Sequence, residues 1–155
     1  MRGNLARWGL TAACIQADAT QWTPPAPFDA VLLDAPCSAT GIFRRHPDVL
    51  HRVSPRVIAE QAELQAQLLD RAAAWLRPGG YMTYAVCSLE PQEGEAQIEA
   101  FLTRHGDYAI DPVLADELPD GLTADPRGWV RTLPGQLSEA GGLDGFFIAR
   151  LMRIG

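Results

Sequence analysis

Two apolar runs, residues 28–33 and 81–86, each lead into a short segment that carries a cysteine followed by a serine. Runs of this length with β-branched and aromatic residues are typical of buried strands. The roughly 45 residues between them hold a long helical pattern, which predicts a strand–helix–strand unit with parallel strands. In an open parallel sheet, ligands bind beyond the carboxyl ends of the strands. Cys37 and Cys87 are therefore predicted to face one crevice, about one or two strand spacings of ~4.8 Å apart.

The size and composition of the chain limit its class. A length of 155 residues suits one domain with a core of its own. No apolar run approaches the ~20 residues of a membrane span, and no signal peptide is expected after Met1. Three cysteines without a framework spacing favour a reducing compartment, so the predicted location is cytoplasmic. The net charge of −6 argues against a general polyanion binder.

Turn and cap residues divide the rest of the chain into further elements. Ser54 and Pro55 are typical of a helix start, as the N-cap and the first helical residue. Cys14 lies in the middle of a short apolar run and is predicted to be a core residue. The predicted elements are a helix that Gly9 ends, a strand at 13–17, a loop at 20–28, a helix from 55 that Pro78 stops, a helix up to about His105, a strand at 108–114, a loop at 116–128, an edge strand at 129–133 and a last strand at 145–151.

The two cysteines at the strand ends are open to several interpretations. Cysteine is a small apolar residue, and most cysteines are simply buried. A disulfide between neighbouring strands is geometrically conceivable, but a reducing compartment disfavours a permanent one. Zinc binding is disfavoured because neither His46 nor His51 has a finger-like spacing, so no metal site is predicted. The pairing favours nucleophilic catalysis by a thiolate, and spacing alone does not choose between Cys37 and Cys87.

Two aspartates follow predicted strands. Asp34 ends the first main strand just before Pro36, where a carboxylate is costly unless it binds something. It could accept hydrogen bonds from the amine or amidine edge of a ligand. The alternative is that Asp34 caps its own turn. Asp18 has a similar place at the end of the preceding predicted strand, with the same alternative.

A basic segment follows the first cysteine. Four arginines lie within thirteen residues, together with two of the three histidines, in a chain that has no lysine. One guanidinium group can donate two hydrogen bonds to the oxygens of a phosphate, so this segment predicts contacts with a nucleic-acid backbone. The alternative is a solvated loop with scattered ion pairs. The candidate RNA-binding residues are Arg44, Arg45, His46 and Arg52.

Several ordered motifs of the chain resemble those of the RNA 5-methylcytosine methyltransferases. The likeness covers nearly the whole chain and is greatest to the bacterial Sun/Fmu-type enzymes that modify small-subunit ribosomal RNA. The motifs that carry it are Asp34-Ala35-Pro36-Cys37-Ser38-Ala39-Thr40-Gly41, Arg44-Arg45-His46-Pro47-Asp48, Tyr84-Ala85-Val86-Cys87-Ser88 with Pro91 and Glu95, Leu133-Pro134-Gly135, and Asp144-Gly145-Phe146-Phe147.

The resemblance implies a mechanism and a cofactor, S-adenosylmethionine. The thiolate of Cys87 would add to carbon 6 of a cytosine and make carbon 5 nucleophilic toward the methyl group. Cys37 matches the position that assists product release, and Asp34 the one that holds the N3 and amino edge of the base. Asp18 matches the residue that contacts the cofactor's adenine, and Asp34 and Pro36 are expected beside the cofactor as well. The target base must be unstacked to reach the crevice.

The resemblance also implies a fold and a departure from it. Methyltransferases of this class have the strand order 3-2-1-4-5-7-6, and their glycine-rich cofactor loop lies upstream of anything in this sequence. Residues 1–155 are thus predicted to be one partial catalytic domain with an incomplete α/β, Rossmann-like methyltransferase sheet. By itself the chain is expected to bind S-adenosylmethionine weakly or not at all. The free sheet edge is expected to be repaired, by pairing of 13–17 with 31–34 or by strand exchange in a dimer.

These observations predict a part of an RNA cytosine-C5 methyltransferase that acts through Cys87, with Cys37 assisting and RNA, most simply ribosomal RNA, as the substrate. The rival interpretation is a non-catalytic RNA- or ribosome-binding remnant of such an enzyme. It would keep the arginine segment but lack the cofactor pocket.

Overall fold

The computed structural model describes residues 2–155, and the side chain of Arg2 is left out of the description. None of the helices in this range is both long enough and apolar enough to cross a membrane. Single turns of 3₁₀ helix lie at Thr40–Ile42, Ala115–Glu117 and Ser138–Ala140. The helices and strands are α1 (Arg2–Arg7), β1 (Phe28–Asp34), α2 (Val49–Arg52), α3 (Pro55–Ala74), β2 (Leu76–Val86), α4 (Glu95–Arg104), β3 (Tyr108–Ile110), β4 (Val130–Thr132) and β5 (Phe146–Arg153).

One sheet contains all five described strands, in the order β1-β2-β5-β3, with β4 also paired to β5. β1 and β2 are parallel, as the strand–helix–strand pattern predicts, and Leu33 is aligned with Tyr84. β5 runs antiparallel to β2, β3 and β4. The order corresponds to the 4-5-7-6 part of the expected methyltransferase sheet. The prediction of an incomplete Rossmann-like α/β fold is therefore confirmed.

The helix α3 connects β1 to β2 and covers one face of the sheet. The Ser54 hydroxyl accepts a hydrogen bond from the Val57 N–H at 3.3 Å, which confirms the predicted N-cap. The helix ends at Ala74, and the chain enters β2 at once, before the proline and glycines that were expected to stop the helix. Those residues form an irregularity in β2, where the register with β1 shifts between Phe28 and Ala30.

The core lies between the sheet and the helices α3 and α4. Every second residue from Met82 to Val86 is buried, because alternate side chains of β2 point to this face. Aromatic contacts reinforce the packing, with the rings of Tyr84 and Phe147 6.3 Å apart. The largest fully buried apolar side chains are Tyr84, Phe101, Phe147, Leu69, Leu76, Met82, Ile98 and Leu151.

The prediction that the run at 28–33 is a buried strand is wrong. None of the seven residues of β1 is buried, and 71% of the Leu32 surface is exposed. β1 has only β2 as a neighbour, so one of its edges and part of its surface are uncovered within residues 2–155. An apolar sequence pattern indicates that a strand tends to be buried by neighbouring elements. The described residues do not provide such neighbours for β1.

The predicted strand at 13–17 is also absent from the structure. Residues 13–17 have no regular secondary structure and pair with no strand of the described sheet. Cys14 is accordingly half-exposed and is not a core residue. An open groove of about 1200 Å³ is lined in part by Cys14, Ile15, Phe28 and Leu32. The expectation that residues 13–17 pair directly with the β1 edge is therefore wrong. Strand exchange between two copies stays a prediction.

The later strands agree with the predicted elements in type but are shorter or shifted. The strand expected at 108–114 ends at Ile110, since Pro112 has no N–H for a sheet. β4 and β5 lie where strands are predicted, and β5 extends to Arg153. Gly9, at a φ of 64°, follows α1 as the expected helix terminator.

Candidate active site

The sulfur atoms of Cys37 and Cys87 are 3.5 Å apart. They follow the adjacent parallel strands β1 and β2, so the predicted convergence on one crevice is observed. Both residues are half-buried, which leaves them accessible to a ligand. A thiol pair with this spacing can share a proton, and such sharing makes one sulfur a thiolate nucleophile while the other remains protonated.

Backbone hydrogen bonds fix the segment that carries Cys37 against the segment that carries Cys87. The Ala35 N–H donates to the Ala85 carbonyl at 3.0 Å and extends the β1–β2 ladder by one residue. The Gly41 N–H donates to the Cys87 carbonyl at 3.0 Å. The Gly145 N–H, just before β5, donates to the Gly41 carbonyl at 2.8 Å. Three parts of the chain thus meet at Gly41.

A Gly41→Ala substitution is expected to destabilise the fold by about 1–3 kcal/mol, the usual cost of overpacking. A Cβ at this position would overlap the Gly145 carbonyl and would lie 3.0 Å from the Cys87 oxygen. Thermal or urea unfolding would measure the loss. Gly106→Ala is the matched control, because a Cβ there meets nothing within 4 Å. Equal stability of the two variants would contradict the close approach.

The two thiols have opposite proton affinities. The hydrogen bond donated by the Cys37 S–H is the main reason that the pKa of Cys87 falls to about 7, although burial works against this. The same hydrogen bond, with burial added, raises the pKa of Cys37 above its usual value. Cys87 is therefore the sulfur that ionises near neutral pH, and Cys37 is the one that keeps its proton.

Alkylation of Cys87 by iodoacetamide is expected to reach half its maximal rate near pH 7. Cys37→Ala removes the S–H donor, so the midpoint should move up toward the ordinary thiol value of about 8.5. Both proteins would carry Cys14→Ser, and peptide mass mapping would identify the alkylated thiol. A midpoint that is the same with and without Cys37 would rule out the shared proton.

Asp34 is exposed at the carboxyl end of β1. Within residues 2–155 its carboxylate has no hydrogen-bond or ion-pair partner, so the turn-cap alternative is not what the structure has. Its negative charge acts on Cys87 and opposes ionisation of that thiol, so the pKa of Cys87 is slightly higher than it would otherwise be. Asp34 is aligned with Ala85, two residues before Cys87 on the neighbouring strand, so the two side chains lie at the same end of the sheet.

Asp18 and Pro36 have other partners. The Asp18 carboxylate accepts hydrogen bonds from the Thr20 N–H at 2.9 Å and the Thr20 hydroxyl at 2.7 Å, and these bonds lower its pKa. Asp18 therefore stabilises its own turn, which is the alternative that the sequence leaves open. The Pro36 ring is exposed, and its carbonyl accepts from the Gln65 amide at 2.8 Å. A cofactor role for either residue stays a prediction.

The basic segment packs against the loop before β5. Arg45 forms an ion pair with Asp144, and the Arg44 guanidinium donates to the Gly141 carbonyl at 3.1 Å. Arg45 is the main cause of the lowered pKa of Asp144. Arg52 pairs with Asp48 at 2.8 Å. His46 is exposed. The four candidate residues lie on one surface segment. The positive charges of Arg44, Arg45 and Arg52 are partly compensated by nearby acidic or carbonyl groups of the protein.

Sequence reasoning missed the residues beneath the two cysteines. Glu93 is fully buried and lies between the serines that follow the two cysteines. The available signal was the cysteine–serine pair at both strand ends, since each hydroxyl buried in a core requires a hydrogen-bond partner. We call Ser38, Gln65, Ser88 and Glu93 the Glu93 network.

The strand order, with its antiparallel β5, and the crevice beyond β1 and β2 define part of a Rossmann-like methyltransferase fold. Residues 1–152 match the family described as 16S rRNA methyltransferase RsmB/F. The chain belongs to this family, which confirms the resemblance of its motifs to the Sun-type enzymes.

Curated relatives agree with this membership. The ribosomal RNA small subunit methyltransferase B of Shewanella oneidensis is 44% identical over 153 residues, which are 97% of this chain and 33% of the relative. The protein of the same name from Salmonella arizonae is 45% identical with the same coverage. The chain thus spans about a third of the length of these relatives.

A solved structure shows the same architecture. The structure of NSun6 from Pyrococcus horikoshii with SFG has a TM-score of 0.81 and 25% sequence identity to this chain. The likeness covers 100% of this chain and 38% of that one.

Proposed function

We propose that residues 1–155 are one part of the catalytic domain of a 16S rRNA cytosine-C5 methyltransferase that uses S-adenosylmethionine. The single observation that carries this proposal is the 3.5 Å approach of Cys37 and Cys87 at the ends of adjacent parallel strands. Membership of the 16S rRNA methyltransferase RsmB/F family supports the substrate class. A cytosine at carbon 5 is not nucleophilic enough to accept a methyl group, so a thiolate that adds at carbon 6 is the required activation.

In the proposed reaction, the Cys87 thiolate forms a bond to carbon 6, and the electron pair of the carbon 5–carbon 6 double bond moves to carbon 5. S-adenosylmethionine, when bound, would supply the electrophilic methyl group that carbon 5 takes up, with cleavage of its S–CH3 bond and release of S-adenosylhomocysteine. Transfer of the carbon 5 proton to solvent water then returns the electron pair to the double bond as the sulfur–carbon 6 bond breaks. The departing sulfur leaves as a thiolate, and the Cys37 S–H stabilises it through the hydrogen bond present in the free protein.

Asp34 is the group proposed to hold the base. A carboxylate accepts hydrogen bonds from an exocyclic amine more strongly than a backbone carbonyl does, and Asp34 has no competing partner within residues 2–155. Its alignment with Ala85 in β2 places it at the same end of the sheet as Cys87, which follows two residues later. Asp34 thereby distinguishes cytosine, which has an amino group at carbon 4, from uracil, which has a carbonyl there.

The residues available to S-adenosylmethionine fit it only in part. Asp34 and Pro36 are exposed at the end of β1 and can contact the cofactor there. Both hydrogen bonds from Thr20 go to one oxygen of Asp18, Oδ1, so its second oxygen can still accept from a ligand, and the groove beside β1 is open rather than closed around a ligand. We therefore propose that Asp18, Asp34 and Pro36 form one side of the cofactor site.

The arginine segment is proposed to contact RNA phosphates around an unstacked target base. Arg44, Arg45, His46 and Arg52 are all exposed, so each can approach a phosphate. The ion pair with Asp144 holds Arg45 in one place, which favours an oriented contact over a diffuse one.

The proposal is tested in a chimeric enzyme, in which this chain replaces the segment that it matches in the Shewanella oneidensis relative. Transfer of labelled methyl groups from S-adenosylmethionine to 16S rRNA, followed by mapping of 5-methylcytosine, should show the same modified cytosine as the parent enzyme. A folded chimera that binds the RNA but transfers no methyl group would favour the rival interpretation, an RNA-binding remnant.

The 155-residue chain alone is expected to bind S-adenosylmethionine weakly, with a dissociation constant above the micromolar range. The physical reason is that the groove beside β1 is open and lined mainly by apolar residues, so few polar groups converge on a ligand there. Isothermal titration calorimetry would measure the binding, with the chimeric enzyme as the reference. Micromolar binding by the chain alone would contradict the expectation.

A further inference from the structure

Glu93 is the only carboxylate among the buried polar residues of the described chain, with no exposed surface. It lies after β2, in the turn that precedes α4. No arginine or histidine within residues 2–155 forms an ion pair with it. A buried charge without a cation is costly unless hydrogen bonds replace its hydration. Apolar packing alone therefore does not explain why a carboxylate is buried at this position.

The hydrogen bonds of Glu93 join the two cysteine segments to each other. The Ser38 N–H donates to one carboxylate oxygen at 2.8 Å, and the Ser38 hydroxyl donates to the other. The Ser88 hydroxyl donates to that same second oxygen. Ser38 and Ser88 are the residues directly after Cys37 and Cys87. One carboxylate thus connects two backbone positions that are each one residue from a sulfur.

Neighbouring elements fix the carboxylate in turn. The Gln65 amide, from α3, donates to Glu93 at 3.1 Å and to the Pro36 carbonyl at 2.8 Å. The Tyr84 hydroxyl, from β2, donates to the Glu93 backbone carbonyl at 2.6 Å. The helix and the strand therefore hold both the side chain and the backbone of this residue, which fixes the position of its carboxylate.

We propose that Glu93 is a positioning residue, which holds Cys37 and Cys87 at reacting distance by bridging Ser38 and Ser88. This inference rests on the proposed function for its catalytic consequence, but its geometric part stands on the thiols alone. Glu93 does not touch the substrate in this proposal. It acts through Ser38 and Ser88, and the length of its side chain matters more for this role than its charge does.

Two substitutions separate reach from charge. Glu93→Gln keeps the length of the side chain, and its amide can serve every partner if the serine hydroxyls accept instead of donate. Glu93→Asp keeps the charge but is one methylene shorter, so it cannot span both segments. Glu99→Gln is the matched control, because Glu99 is exposed on α4 and pairs only with Arg127 among the described residues.

The geometric readout is oxidation of the thiol pair in the 155-residue chain that carries Cys14→Ser. Diamide takes two electrons and two protons from the thiols to form a Cys37–Cys87 disulfide and is itself reduced to the hydrazine. We expect Glu93→Gln and Glu99→Gln to react within about threefold of the unmodified rate. Glu93→Asp is expected to react about tenfold or more slowly, since the sulfurs move apart. Circular dichroism would show that each variant is folded, and Ser88→Ala provides a second, smaller disruption of the same bridge.

The catalytic readout is methyl transfer by the chimeric enzyme. Glu93→Asp should lower kcat by about 100-fold with the KM for RNA unchanged, as a misplacement of reacting groups does. Glu93→Gln should restore most of kcat. If the Glu93→Asp variant is active and the Glu93→Gln variant is not, the charge of the side chain matters rather than its length, and the proposal is wrong. It is equally wrong if all variants oxidise at the unmodified rate. An unmodified chimera without activity would instead contradict the proposed function and leave the oxidation result to decide on Glu93.

Discussion

Replacement of Cys87 by alanine is expected to reduce methyl transfer by the chimeric enzyme by at least about 10⁴-fold, to the limit of detection. In the proposed mechanism the thiol with the lowered pKa supplies the nucleophile, and no other ionisable side chain in the described chain lies within hydrogen-bond distance of its sulfur except Cys37. Cys37 keeps its proton at neutral pH, so it is a poor replacement. The measurement is incorporation of labelled methyl groups into 16S rRNA under single-turnover conditions.

Cys14→Ala is the control for this loss. Cys14 is a half-exposed thiol that lines the groove and has no contact with the cysteine pair, so its removal should leave the rate unchanged. Both variants should also have the same free energy of unfolding within about 1 kcal/mol, since a half-buried thiol contributes little to packing. Substantial activity in a folded Cys87→Ala variant would overturn the assignment of the nucleophile.

Replacement of Cys37 by alanine is expected to have a different large effect, the accumulation of a covalent protein–RNA adduct. Cys87 can still add to carbon 6, but it loses the S–H donor that stabilises it as a leaving thiolate. Its pKa rises, and a more basic thiolate leaves more slowly. The adduct would appear as a slowly migrating band on a denaturing gel and would disappear after ribonuclease treatment.

The double variant identifies the sulfur in the adduct. Cys37→Ala combined with Cys87→Ala should form no adduct, whereas Cys37→Ala combined with Cys14→Ala should form as much as Cys37→Ala alone. An adduct that requires Cys37 and persists in Cys87→Ala would reverse the two roles. The same gel with Cys37→Ala at different pH values should show faster adduct formation as Cys87 ionises, which links this result to the alkylation profile.

Some features of the molecule follow from local patterns in the sequence. The N-cap Ser54 and the helix terminator Gly9 depend on residues within one or two helical turns of each other, so the sequence shows them without knowledge of the fold. The parallel pairing of β1 and β2 follows from the length of the connection. The choice of Cys87 over Cys37 came from the family resemblance alone, and the shared proton now gives it a physical argument.

Other features depend on what lies next to a segment in space. The apolar runs at 13–17 and 28–34 both fit buried strands, yet one forms no strand and the other is an exposed edge. Their patterns indicate that paired strands and covering elements would bury them, but they contain no information on whether the chain provides such elements. The basic segment likewise shows its charge in the sequence, while its compensation by Asp144 is decided across the fold.

The sequence by itself determined the type of fold, the two strand ends that carry cysteines and the family of the chain, because these depend on short-range periodicity and ordered motifs. Only the tertiary structure decided the 3.5 Å separation of the sulfurs, the lowered pKa of Cys87 that this contact causes and the bridge that Glu93 makes to Ser38, 55 residues away in the chain. The physical reason is that strand register and burial bring these groups together, and both are properties of the whole packed chain.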